Sequence, residues 1–164
     1  MFKIEVYTKI NFRNSYAEHI LFDINTTGLA LIDKLYSSYL YAIDGNLTIR
    51  QINIIATELL IDKITEGYYC KNNNLTENEF SFNKTDHSIF CIEIWYKNGV
   101  TDTVAETVTK AVKDLGIMNK ISVKRGYKYY LYSHRQILQE TVKIIVSTCL
   151  CNVLIQDYII KQHK

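Results

Sequence analysis

Two periods of apolar and polar residues alternate along this chain. Residues 2–9 alternate the apolar Ile4 and Val6 with the charged Lys3 and Glu5, and residues 89–97 match this segment at an offset of 88. A period of two residues is typical of a strand with one buried face. Each of these segments is therefore predicted to be a strand.

A helical period follows each strand. In the second half of the chain, five apolar residues lie on one helical face, and three do so in the first half: Val104, Val108, Ala111, Val112 and Leu115, then Tyr16, Ile20 and Ile24. Both helices open on a capping-box pattern, Ser15 to Glu18 and Thr103 to Glu106. Gly28 and Gly116 follow where a left-handed residue ends a helix.

These matching elements indicate an internal repeat. Equivalent residues stand 88 positions apart in the first part of each copy and 90 apart later: Ile4 with Ile92, Lys9 with Lys97, Gly28 with Gly116 and Tyr41 with Tyr129, then Leu60 with Leu150 and Tyr68 with Tyr158. Such self-similarity predicts two structural units with one fold.

The rest of each copy completes the pattern. In each copy it predicts two short strands, a second helix and a closing strand. In the first copy the strands are 33–36, 39–44 and 64–70, and the helix opens on a box at Thr48 to Gln51. In the second copy the strands are 120–124, 127–132 and 153–160, and the helix opens on a box at Ser133 to Gln136. The apolar stretch Val146 to Ile155 predicts a buried end of the last helix. The order is β-α-β-β-α-β, which places the helices on one face of an antiparallel sheet.

The predicted fold class is therefore α+β, with two tandem ferredoxin-like repeats whose antiparallel sheets pack as a pseudo-dimer. The first repeat covers 1–70, an Asn-rich polar linker covers 71–88, and the second repeat covers 89–164. A unit of about seventy residues is marginal alone, so the copies are expected to pack together.

Composition narrows the function. A net charge of +2 with 22% charged residues argues against a nucleic acid as the partner. No apolar run reaches the length of about 18 residues that a membrane span needs. The N-terminal segment reads as the first strand and not as a leader. Four cysteines without metal or redox spacing complete a pattern typical of a cytoplasmic protein.

Catalytic machinery is not evident in the sequence. His19, His87, His134 and His163 are scattered, and no phosphate-binding glycine loop is present. Asp102 opens a helix, where an acid favours the helix dipole. We therefore expect no catalytic, metal-binding or cofactor-binding residue in this chain.

One stretch favours RNA binding. Residues 124–132 combine basic residues with alternating aromatics on a predicted strand. RNA-recognition sheets display their base-stacking rings on such a strand, and Tyr127 and Tyr129 would supply those rings here. The simpler interpretation is that these tyrosines pack as good strand formers. A ligand-sensing regulator is a third reading, but no residue indicates its ligand.

The order of several short motifs resembles a known family. The second copy carries them along nearly all of 89–160: Lys97, Gly99, Val100 and Asp102; Leu115-Gly116; Val123 and Gly126; and Asn152 with Ile155, Asp157 and Tyr158. This order resembles the PurS subunit of phosphoribosylformylglycinamidine synthase. Residues 41–48 of the first copy resemble the divergent unit of fused, double-repeat members.

The resemblance implies a non-catalytic accessory subunit of an ATP-dependent ligase complex in purine biosynthesis. Its partners would be a large synthetase subunit, which holds ATP and Mg²⁺, and a glutaminase subunit that supplies ammonia. The resemblance is also compatible with a homo-oligomer of this chain. Five residues become candidate subunit contacts: Lys97, Gly99, Val100, Asp102 and Gly126. The alternative is that they only build a tight turn and a helix cap.

Overall fold

A computed structural model describes residues 1–70 and 88–163. The predicted linker, 71–88, lies outside the described residues except for Ser88, which begins a strand. In the first half the elements are β1 (Phe2–Thr8), α1 (Ser15–Thr26), β2 (Lys34–Gly45), α2 (Ile49–Ile55), a π-helical turn (Ala56–Leu60) and β3 (Glu66–Cys70).

The second half repeats this order. Its elements are β4 (Ser88–Tyr96), α3 (Thr103–Asp114), β5 (Ile121–Ser133), α4 (Gln139–Ile145), a π-helical turn (Val146–Leu150) and β6 (Gln156–His163). Even the two π-helical turns stand 90 positions apart. The α+β class with two repeats of one fold is confirmed.

Each pair of short strands predicted in the middle of a repeat is one long strand. The segments predicted at 33–36 and 39–44 join in β2, and those at 120–124 and 127–132 join in β5. The residues between the predicted segments, Ser37-Ser38 and Arg125-Gly126, lie within the strands and do not form a turn. The change of offset from 88 to 90 lies in the loop that follows, because 46–48 connects β2 to α2 whereas 134–138 connects β5 to α4.

The helix starts lie close to the predicted capping boxes. Asn14 and Asp102, which stand 88 apart, cap α1 and α3 through their side chains, one residue before the predicted Ser15 and Thr103. The box at Thr48 is present. The box predicted at Ser133 is wrong, because α4 begins at Gln139 and the Ser133 hydroxyl instead accepts from the Arg135 N–H.

The six strands form one sheet in the order β3-β1-β2-β5-β4-β6. β1 is antiparallel to both neighbours, with Ile4 opposite Tyr41 on β2 and opposite Cys70 on β3. β4 and β6 are antiparallel, with Ile94 opposite Tyr158. The alternation read from the sequence therefore directs Ile4 and Val6 to one face, where both are buried.

The chain divides into two compact units that do not follow the order of the repeats. Of the described residues, the first unit contains 1–13, 38–70 and 98–126, and the second contains 14–37, 88–97 and 127–163. Each unit therefore takes segments from both halves of the sequence. The long strands β2 and β5 contribute to both units.

The exchange concerns the first helix of each repeat. In the first unit, α3 inserts Ala105, Val108 and Val112 into a core built by β1 and α2. In the second unit, α1 inserts its own apolar face into a core built by β4 and α4. The segments 1–70 and 89–164 remain the repeats of the sequence, but neither of the two cores is made from one repeat alone.

Candidate functional site

The turn before α3 contains three of the five candidate contact residues, and the first unit holds all three. Gly99 is exposed with φ +89°, a left-handed conformation that favours glycine. Val100 is half-buried. Asp102 ends the turn as the N-cap of α3. Gly99 thus reverses the chain, and Asp102 starts the helix.

Both carboxylate oxygens of Asp102 are engaged by main-chain groups. Oδ1 accepts from the Ala105 N–H at 3.0 Å, and Oδ2 accepts from the Arg125 N–H at 2.9 Å. One side chain therefore caps α3 and ties it to β5, beside the buried Gly126. Residues 23 positions apart make this second bond, so no local pattern in the sequence could have indicated it.

Substituting Asp102 by Asn should separate these two functions. An asparagine has one acceptor oxygen and one NH₂ group, so it satisfies only one of the two N–H groups. We expect a loss of about 1–2 kcal/mol in the free energy of unfolding, measured by urea denaturation. Asp102→Ala should lose more, about 2–4 kcal/mol.

Thr48→Ala is the matched control, because Thr48 caps α2 without a bond to a strand. It should cost about 1 kcal/mol. Wild-type stability in Asp102→Asn would contradict the bridging role.

Lys97, the fourth candidate, lies in the second unit and holds a loop. Its ammonium donates to the Val153 carbonyl at 2.6 Å and lies 3.9 Å from the Asp157 carboxylate. Its main-chain N–H donates to the Ile155 carbonyl at 3.0 Å. Lys97 therefore fastens the loop before β6 to the end of β4.

Lys9 makes the equivalent main-chain contacts in the first unit, where Gly67 stands in place of Asp157. Its ammonium donates to the Lys63 carbonyl at 2.7 Å, and its N–H donates to the Thr65 carbonyl at 2.9 Å. The accepting residues stand 90 positions before those that Lys97 contacts. The loop itself is also repeated, since Asp62 and Asn152 each accept from the N–H two residues later. The pairing of Lys9 with Lys97 in the sequence was the signal for this structural role.

Each fastened loop presents an aliphatic side chain that the sequence did not single out. Ile64 is 72% exposed and Leu154 is 82% exposed. The prediction of a buried helix over Val146 to Ile155 is wrong beyond Leu150, because a loop begins there and Val153, Leu154 and Ile155 are exposed. Only Val146 and Cys151 of that stretch are buried.

The two units differ in the polar groups near their exchanged helices. In the first unit, the Arg125 guanidinium lies 4.4 Å from the centre of the Tyr39 ring. Burial raises the pKa of the neighbouring Tyr41 hydroxyl, and the Arg125 charge opposes this. The equivalent of Arg125 in the second unit is Ser37, whose hydroxyl accepts from Asn14 at 3.1 Å. At this position the first unit thus has a charged side chain, Arg125, whereas the second unit has a neutral one, Ser37.

The tyrosines of the RNA-binding alternative do not form an open platform. Tyr129 is only 2% exposed, and its hydroxyl lies 3.0 Å from that of Tyr16. Tyr127 is partly buried against the same core. Bases stack on exposed rings. The burial of these rings agrees instead with the simpler interpretation, in which they pack within the second unit.

Residues 1–70 and 88–163 contain no group of three metal-ligating side chains close enough to hold an ion. In the same part of the chain, no helix has the length and apolar character needed to cross a membrane. The candidate functional features are therefore the turn at Gly99 and the loops that hydrogen bonds from Lys9 and Lys97 hold in place.

Comparison with known proteins finds a family that the second repeat resembles. The chain has no match among curated proteins. Residues 90–164 match the family described as PurS: Phosphoribosylformylglycinamidine (FGAM) synthase. The match begins in β4 and runs through β6, so it contains the turn at Gly99, the cap at Asp102 and the loop held by Lys97. The second half of this chain therefore contains a PurS-like unit, which supports a role in phosphoribosylformylglycinamidine synthase and purine biosynthesis.

Proposed function

We propose that this chain is a non-catalytic accessory subunit of phosphoribosylformylglycinamidine synthase in de novo purine biosynthesis. The family match over residues 90–164 is the observation that carries the proposal. In the proposed complex, a large synthetase subunit binds ATP and Mg²⁺ and performs the chemistry, while a glutaminase subunit releases ammonia. This chain bridges the two subunits in the cytoplasm and favours transfer of ammonia between them.

The duplication supports a covalent pair of PurS-like units. Both halves cap the first helix at the equivalent residue, Asn14 or Asp102, and both have a π-helical turn and a lysine-held loop. Each half also supplies a helix to the core that the other half builds. A tether raises the effective concentration of one half near the other, so a single chain can do the work of two associating subunits.

The candidate contact residues differ in how accessible they are to a partner. Gly99 is exposed, and a Cβ added there would meet no atom within 4 Å. Val100 is half-buried next to it. Asp102 is engaged internally, and Gly126 is buried. We therefore assign direct contact with the synthetase to Gly99 and Val100, whereas Asp102 and Gly126 support the turn.

Copurification tests the proposal. The full chain, tagged and expressed in its source cells, is expected to copurify a synthetase and a glutaminase. Adding the purified chain to those two subunits should raise glutamine-dependent synthesis of the amidine product. Neither effect should appear with an unrelated protein of similar size. Absence of both subunits from the purified material, together with unchanged synthesis, would overturn the proposal.

Lys97→Ala decides whether Lys97 contacts a partner directly. Lys9→Ala is the matched control, because the Lys9 ammonium and N–H donate to the equivalent carbonyls in the other unit. Equal, small losses of stability and undiminished copurification in both variants would assign Lys97 a purely structural role. Loss of copurification in Lys97→Ala alone would assign it to the interface.

A further inference from the structure

The strand β6 lies at one end of the sheet and is long for an edge strand. It spans Gln156–His163. Among residues 1–70 and 88–163, β4 is the strand neighbour of β6. The groups on the other side of β6 are suited to pairing with an added strand.

The pairing with β4 determines which main-chain groups face outward. The Ile155 carbonyl accepts from Lys97 and so points toward β4. In an antiparallel pair, successive residues direct their N–H and C=O groups to alternate sides. Tyr158, Ile160 and Gln162 therefore direct theirs to the open edge. The Gln156 N–H donates to the Asn152 carbonyl and the Gln156 carbonyl accepts from the Cys151 thiol at 3.9 Å, so Gln156 does not contribute to the edge.

The sequence of this edge is self-complementary around Ile159. Reversing the strand about that residue places like or complementary residues opposite each other: Gln156 with Gln162, Asp157 with Lys161, Tyr158 with Ile160, and Ile159 with itself. The charged pair and Ile159 share the face opposite the core. All three are exposed, with 52% of Ile159 accessible.

We propose that β6 pairs antiparallel with β6 of a second copy of this chain, about a two-fold axis at Ile159. Tyr158 and Ile160 of the two copies then exchange main-chain hydrogen bonds, because both direct their groups outward. Each Asp157 lies opposite a Lys161, a cross-strand pair of opposite charge. The two-fold pairing is isologous and closes as a dimer.

This register is favoured over its neighbours. A shift by one residue would place the outward-facing main-chain groups of one strand opposite residues whose groups face β4, so the hydrogen-bonded ladder would be lost. A shift by two would keep the ladder but place Asp157 or Lys161 opposite Ile159. The weak approach of Lys97 to Asp157, at 3.9 Å, leaves that carboxylate 75% exposed and free to turn to the second copy.

Sedimentation equilibrium of the full chain tests the dimer. The wild type should show a concentration-dependent monomer–dimer equilibrium. Lys161→Asp turns both charge pairs into like-charge pairs and should weaken the dimer about tenfold or more. The double variant Asp157→Lys/Lys161→Asp restores opposite charges and should recover most of the affinity. Lys110→Asp makes the same charge change on the exposed side of α3 and should leave the dimer unchanged.

Thermal unfolding of each variant identifies any that fail to fold. Such a variant is replaced by the milder Lys161→Glu. A wild type that stays monomeric throughout the concentration range overturns the proposal. So does a dimer that Lys161→Asp leaves unchanged, or one that the double variant does not recover.

Discussion

A fragment covering residues 1–70 is expected to be largely unfolded when it is produced alone. It contains β1, α2 and β3, but the core on these elements is completed by Ala105, Val108 and Val112 of α3. Each buried apolar side chain of the size of valine contributes about 1.5–3 kcal/mol. Their loss consumes most of the roughly 5–15 kcal/mol that stabilises a small domain. Far-UV circular dichroism measures the helix content, and the chemical-shift dispersion of the amide protons in an NMR spectrum shows whether the fragment is folded.

A fragment covering residues 88–164 should behave in the same way, because it lacks α1. Mixing the two fragments should restore the native spectrum, since each supplies the helix that the other needs. The intact chain is the control. Either fragment unfolding cooperatively as a monomer would contradict the exchange. Light scattering separates that outcome from a fragment that folds only by associating with a second copy of itself.

Ile24→Ala is expected to destabilise elements of the other half of the sequence. Ile24 lies in α1 and is fully buried in the second unit with Phe90 and Val142. Truncation of a buried isoleucine costs about 2–5 kcal/mol. Hydrogen exchange should therefore quicken in β4 and α4, although both lie more than 60 residues away in the sequence. Mass spectrometry of peptides locates the change.

Two matched variants complete this experiment. Val112→Ala, at the position equivalent to Ile24, should quicken exchange in β1 and α2 instead. Ile52→Ala, a local core change in α2, should also act on the first unit. Faster exchange confined to α1, β1 and β2 in Ile24→Ala would show that the helix packs within its own repeat.

Local features were predictable because the residues that cause them are close together in the sequence. Gly28 and Gly116 end their helices with φ +72° and +78°, as expected where a left-handed residue is needed. The box at Thr48 caps α2. The box at Ser133 failed because two extra residues in the following loop move the start of α4 to Gln139. A capping pattern alone does not reveal that displacement.

The candidate site was only partly predictable. Lys97 and Asp102 were identified from motif order, but their partners, Val153 and Arg125, come from segments that local patterns do not connect. The exposure of Leu154 also depends on where the helix ends, which the apolar sequence did not indicate. Long-range main-chain hydrogen bonds decided what each of these residues does.

The order of residues is sufficient for the duplication, the opening strand and first helix of each repeat, and the α+β class, since apolar periodicity is a local property. Packing alone decides which helix completes which core. The faces of α1 and α3 carry similar aliphatic residues, with Ile24 in the position of Val112, so either face could cover either sheet segment. Burial free energy is nearly non-directional. The exchange is therefore set by the three-dimensional path of β2 and β5, which carry the chain from one unit into the other.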